Sequence, residues 1–157
     1  MPEIVNKNIK NVDAATGIIL RPSAKRDSLY EVLLQKKDIG YPWFPGEICL
    51  FGGGIELGEE PKKAFLREVS EELSIKLNNL NFFRKFPYQD TNTKGEIRGG
   101  YSFVHSAEFT GNMADIRLTE GGGYLFIHPS EFHKFPIVKH DLDILQTFFR
   151  EKFNYNF

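Results

Sequence analysis

Only one cysteine, Cys49, and one tryptophan, Trp43, occur in the 157 residues. A lone thiol cannot close an internal disulfide. Cys49 lies in an apolar stretch, which predicts a small buried core residue rather than a nucleophile. No apolar run approaches the ~20 residues that a membrane-spanning helix needs, so the chain is expected to be soluble throughout. Residues 1–13 hold no basic segment followed by an apolar one, so no secretory leader is expected and a cytoplasmic location follows. Neither sign of charge is in excess: 20 basic and 21 acidic side chains leave a net charge of −1. A general nucleic-acid binder needs a strong basic excess to displace counterions from phosphates, so that class is excluded and any anionic substrate must be gripped locally. The four histidines form no metal-ligand pattern: His128 and His133 are five apart, while His105 and His140 lack motif context. They are expected to be packed or solvated imidazoles.

What is present suits one ordinary globular unit. At this length a single substantial core is expected, so residues 1–157 are read as one domain, without repeats or a dividing linker. The fifteen phenylalanines are expected chiefly in that core. Strands are predicted over Val12 to Arg21 and Tyr30 to Gln35, joined as a hairpin through the polar residues Ser23 to Ser28. Asp38 to Gly46, with Gly40, Pro42, Pro45, Tyr41, Trp43 and Phe44, reads as an aromatic-bearing loop. Glu47 to Phe51 reads as a short strand running into Gly52, Gly53 and Gly54. From Pro61 onward Phe65, Leu66, Val69 and Leu73 recur at helical spacing, and proline is tolerated in a first turn. Further strands are predicted over Leu80 to Phe86, Gly100 to Phe109 and Tyr124 to Ile127, with a hairpin loop over Gln89 to Arg98. Asp141 to Phe153 has the pattern of an amphipathic closing helix. Strands around a central helix and before a second one predict an α/β fold, a mixed sheet with helices on both faces.

The segment Gly53 to Ile75 carries the chemistry. Glu68, Glu71 and Glu72 stand at i, i+3 and i+4, so their carboxylates project from one side of the helix. Like charges at that spacing repel, and such a cluster alone is commonly a solvated acidic face. Convergence on a divalent cation would relieve the repulsion, because Mg²⁺ takes hard carboxylate oxygens and shares its shell with substrate phosphates. The glycines before the helix let backbone approach a phosphate or offer a carbonyl to a metal.

Gly53, Glu59, Arg67-Glu68-Val69, Glu71-Glu72 and Ile75, at their spacing, are similar to the signature of the Nudix hydrolases. Ser74 stands where that family usually has glycine, which touches the turn after the helix rather than the carboxylates. Phe51 replaces the usual proline before the paired glycines. The resemblance implies a Nudix-type α/β/α sandwich with a mixed β-sheet. It implies Mg²⁺, with Mn²⁺ as a substitute, held by Glu68, Glu71 and Glu72 with a further ligand from the Gly52 carbonyl. Glu59 and Arg67 resemble the family's structural ion pair. Glu120, in RLTEGGGYLF, resembles the later acidic residue that completes the metal site or serves as base; Glu68 is the other candidate base, and Glu96, Glu108 and Asp90 rank below them.

The activity so implied is Mg²⁺-dependent hydrolysis of a phosphoanhydride in a nucleoside diphosphate linked to another group, first of all a (d)NTP pyrophosphohydrolase. A nucleotide-sugar or dinucleotide hydrolase is one alternative, and a non-catalytic nucleotide-binding sensor of the same fold is another. Lys36 and Lys37 are candidates for phosphate contact, and Tyr41, Trp43, Phe44, Tyr101 and Phe103 for stacking on a base. The stretch FPIVKH offers Lys139 where the oxidised-guanine branch of the family has a purine-reading asparagine. The expected partner is a small nucleotide, with no membrane; a homodimer is left open.

Overall fold

The structure, a computed structural model, describes residues 9–23, 29–119 and 121–157. Among the described residues, eight strands and two α-helices follow in order as β1 (Ile9–Asn11), β2 (Ala14–Pro22), β3 (Tyr30–Lys36), β4 (Ile48–Cys49), β5 (Phe51–Gly54), α1 (Pro61–Leu73), β6 (Asn78–Thr91), β7 (Ile97–Glu108), β8 (Gly123–Ile127) and α2 (Lys139–Phe153). Short 3-10 turns lie at Met113–Asp115 and Pro129–Lys134.

The strands form one mixed sheet. β2 lies between β3 and β7, antiparallel to the first and parallel to the second, and it also pairs with β5. β6 and β7 form a long hairpin, and β8 closes on β3. Successive residues of β2 face opposite sides, as the pleat requires. Ala15 and Ile19 pack with Leu33, Phe51 and the α1 residues Phe65, Val69 and Leu73. Ile18 and Leu20 pack on the other side with Val32, Leu34, Val104 and the α2 residues Ile144, Leu145, Phe148 and Phe149. Helices therefore cover both faces, which is the expected α/β/α arrangement. Burying each large side chain contributes roughly 1.5–3 kcal/mol, and those facing α1 fix how that helix lies on the sheet.

The ends of α1 follow from its sequence. Pro61 occupies the first turn, where its missing N–H costs nothing. Ser74 takes up the left-handed C-cap, φ 54° and ψ 36°, and its N–H donates to the Ser70 carbonyl at 3.2 Å. The serine at the usual glycine position thus keeps the helix-ending geometry.

Three expectations need correction. Half of the segment Gln89 to Arg98 is strand, and the turn between β6 and β7 is confined to residues 92–96. The glycines after Phe51 form β5 rather than follow it. α2 begins at Lys139, before the predicted Asp141. β1 carries too little pattern in three residues to be foreseen.

Candidate active site

A cleft of ≈ 310 Å³ opens where the ends of several elements meet. The backbone of β5, from Gly52 to Gly54, forms one wall, with Glu68 and Glu72 of α1 beside it. Lys37, Tyr41 and Phe44 enter from the loop after β3, and Asp90 and Arg98 from the β6–β7 hairpin. His140 and Asp141 complete the lining from the first turn of α2.

The acidic end depends on two close approaches. A Cβ on Gly53 would lie 2.5 Å from the Glu68 carboxylate, so only a residue without one lets that carboxylate lie against the strand. At Gly52 a Cβ would lie 2.2 Å from the Ala15 carbonyl oxygen, and φ is +150°, so both space and conformation demand glycine.

Arg67 organises the neighbouring carboxylates. Its Nε and Nη2 donate to the two oxygens of Glu59 at 2.8 and 2.9 Å, a bidentate fork. Nη2 also donates to the Gly54 carbonyl at 3.2 Å, tying β5 to the helix. Nη1 donates to Glu68 at 2.9 Å and to Glu71 at 3.4 Å. The hydrogen bonds from Arg67 hold the Glu59 carboxyl down at about 2, below its ordinary 4.5. Glu72 is buried, whereas Glu71 leaves 60% of its side chain exposed. Among the described residues no three His, Cys, Asp or Glu side chains converge as a preformed metal cluster. The donor chemistry still fits a hard divalent cation, because Glu68 and Glu72 line the cleft beside a glycine backbone and present only oxygen. Glu68 and Glu71 would turn from Arg67 to meet it.

A second group in the lining was named from sequence only through Asp90, as a lesser acidic candidate. His140 Nε2 lies 3.0 Å from Asp90 Oδ1, and Nδ1 lies 2.9 Å from Asp141 Oδ1. The second approach is off the line of an N–H bond and acts as an ion pair. Asp141 Oδ2 accepts from the Leu50 N–H at 3.0 Å. Arg98 approaches Asp90 Oδ2 at 3.4 Å through Nε and stacks 3.9 Å from the Trp43 ring. Burial works against a charge on His140, but the ion pair with Asp141 and the hydrogen bond and charge of Asp90 override it and raise the imidazole to about 10. The rings of Phe44 and Tyr88 flank His140 at 5.9 and 6.2 Å. Phe44 holds φ at 54°, unusual for a bulky residue and costly by about 1–3 kcal/mol.

Among the residues singled out from sequence, the cleft gathers Gly52, Glu68, Glu72, Phe44, Lys37 and Tyr41. Glu71 sits on its rim, bonded to Arg67. Trp43 stands behind Arg98 rather than in the lining. Lys36 is exposed outside the cleft, and Tyr101 projects from the sheet beside Lys85, 4.4 Å from that ammonium. The pleat puts Tyr101 and Phe103 opposite Ser102, the β7 residue that does line the cleft. Glu120 lies outside the described residues; just before it, Thr119 donates to the Glu71 and Glu72 carbonyls of α1, at 2.7 Å from Oγ1 and 3.0 Å from N. Cys49 is buried, and burial with the nearby Asp141 pushes its thiol up to about 12, far from a nucleophile.

Comparison with known proteins bears on the fold that carries these residues. Residues 11–148 match the family model described as NUDIX domain. A nucleoside triphosphatase, NudI, of Escherichia fergusonii is 41% identical over 59 residues, which is 38% of this chain and 40% of that protein. The match thus spans well under half of the relative's length. In solved structures the fold superposes on the MutT protein of Methanosarcina mazei Go1 with a TM-score of 0.71 at 16% identity, over 92% of this chain and 97% of the other. An Ap4A hydrolase of C. elegans gives 0.67 at 20% identity, over 92% and 99%.

Proposed function

Because this chain belongs to the Nudix family, we propose that it is a divalent-metal-dependent pyrophosphohydrolase of a nucleoside triphosphate. The observation that carries this is the seat of Glu68 against Gly53, with Glu72 beside it in the same cleft. The likeness to a nucleoside triphosphatase over 59 residues favours a triphosphate among the substrates of the family.

Glu68, Glu71 and Glu72, with the Gly52 carbonyl, would hold the cation, Mg²⁺ or Mn²⁺. Bound there, such an ion neutralises phosphate charge and acidifies a water. Arg67, anchored on Glu59, sets where Glu68 and Glu71 stand. Lys37 brings an ammonium to the cleft for phosphate oxygens. Glu68, or Glu120 on the glycine-flanked loop, takes the proton from water as its oxygen bonds to phosphorus and the anhydride P–O bond breaks. Pyrophosphate leaves and a nucleoside monophosphate remains.

Product analysis tests the reading. Incubation of each nucleoside triphosphate with the protein and Mg²⁺ should give monophosphate and pyrophosphate in equal amounts. Cleavage only of nucleotide sugars or dinucleotides would replace the triphosphate reading with that alternative. The dinucleotide alternative is kept because the C. elegans Ap4A hydrolase shares the fold over nearly its whole length.

A further inference from the structure

The part of the cleft lining supplied by the β6–β7 hairpin and the start of α2 contains charge to which the hydrolysis above assigns no role. Asp90 and Asp141 leave only 4% and 8% of their side chains exposed, yet both line the cleft. Burying charges is costly unless they are paired, and here His140 pairs with both. His140 has each ring nitrogen against a carboxylate, Nε2 in a hydrogen bond to Asp90 and Nδ1 2.9 Å from Asp141, and so holds the two acids in place. Arg98 is held as well, by the Trp43 ring on one side and Asp90 on the other. The result is a guanidinium fixed beside a carboxylate, with the flat rings of Phe44 and Tyr88 in the same recess.

The geometry points to this recess as the base-reading end of the cleft, with Asp90 and Arg98 as specificity-determining residues for guanine. The inference rests on the nucleotide reading above and narrows it. A guanine pairing edge offers one acceptor, O6, followed by two donors, N1–H and N2–H₂. Its complement is one donor beside two acceptors, which Arg98 and the two oxygens of Asp90 supply in that order. A carboxylate oxygen keeps a second lone-pair direction after accepting one bond, so the contacts to His140 and Arg98 leave capacity. Uracil alternates acceptor, donor, acceptor and would set a carbonyl oxygen against an Asp90 oxygen. Adenine lacks O6 and would set its N1 lone pair there. Aromatic walls suit a planar base, because every base has a π-face to stack. His140 and Asp141 act as positioning residues: Asp141, anchored on the Leu50 N–H, fixes His140, and His140 fixes Asp90.

Trp43 is the only tryptophan and lies against Arg98, so its fluorescence reports occupancy without catalysis or metal. The probes are GMP, IMP, CMP, AMP and UMP; IMP differs from GMP only by the missing 2-amino group. The wild-type protein should bind GMP at least ~10-fold more tightly than IMP, since a site built for an N–H rejects the analogue lacking it. GMP should also bind most tightly of the five. Asp90→Asn should bring the GMP and IMP affinities within about 2-fold, because one acceptor becomes a donor. Equal affinity of the wild type for GMP and IMP, tighter binding of CMP than of GMP, or no GMP binding at millimolar concentration would overturn the assignment. The wild-type comparison decides this even if the variant does not fold. Selective GMP binding without hydrolysis of any triphosphate would sink the pyrophosphohydrolase reading and leave this one standing.

Discussion

Gly53 stands so close to Glu68 that a methyl group on it would lie 2.5 Å from the carboxylate carbon. The clash is with the far end of a flexible side chain, so Gly53→Ala should fold while displacing Glu68. Displacement of about an ångström costs on the order of 10²-fold in turnover. Gly52→Ala is the contrast, because its methyl would meet the Ala15 backbone at 2.2 Å in a left-handed conformation. Thermal melts should show Gly53→Ala near wild type and Gly52→Ala clearly destabilised. Equal stability and equal activity in both variants would refute the close approach.

The Glu59–Arg67 fork should support stability in a pH-dependent way. Glu59 has its carboxyl lowered from 4.5 to about 2 in the fold. Its contribution is therefore complete above about pH 4.5 and disappears as pH falls through about 2. Glu59→Gln should melt below wild type at neutral pH, with the difference shrinking between those limits. A difference that stays constant across the acid range would show that the carboxylate charge is irrelevant to it.

His140 should act in the opposite direction. Its folded value, about 10, lies above the ordinary 6.5, so the fold binds a proton that the unfolded chain releases between the two. The ion pairs with Asp141 and Asp90 thus stabilise fully below about pH 6.5, and this support is lost as pH rises through about 10. Melting curves of wild type and His140→Gln should converge as pH climbs through that window. An imidazole NMR titration placing His140 at or below 6.5 would contradict the pairing.

Glu120 is tested by its own substitution. It follows Thr119, which donates to the Glu71 and Glu72 carbonyls of α1, so its position in the chain is next to a residue bonded to the helix that carries the glutamates. Glu120→Gln should lower turnover by ~10²-fold or more, the range of general-base loss, with less effect on substrate affinity. Near-normal turnover would return the proton-accepting role to Glu68.

The helix glutamates were legible in the sequence, whereas the pairing of Asp90 and Arg98 with His140 and Asp141 was not, for a physical reason. Helical periodicity from Pro61 to Leu73 and the i, i+3, i+4 glutamates are local patterns, and the helix appears with those bounds. Strands β2 and β3 were legible from their apolar, β-branched composition and pair antiparallel, while residues 24–28 of the turn expected over Ser23 to Ser28 lie outside the described residues. Asp90, Arg98, His140 and Asp141 come from two separated segments, and only the sheet and the start of α2 bring them together. His140 lacked motif context because its partners are fifty residues away or adjacent in an ordinary-looking helix start. A weak signal did exist: a His-Asp pair just after Phe135-Pro136 starts a helix with buried charge. Tyr101 misled because alternation along a strand does not reveal which face meets a cleft.

The most direct test of the carboxylate site measures pyrophosphate release from nucleoside triphosphates by the wild type, Glu68→Gln and Glu72→Gln, each with Mg²⁺ and then with a chelator. Wild-type activity should vanish with the chelator and return with Mg²⁺ or Mn²⁺. Both variants should lose ~10²-fold or more while keeping the wild-type melting profile, because each removes an oxygen donor from the cleft. Wild-type rates in the chelated protein, or in both variants at saturating Mg²⁺, would contradict the account.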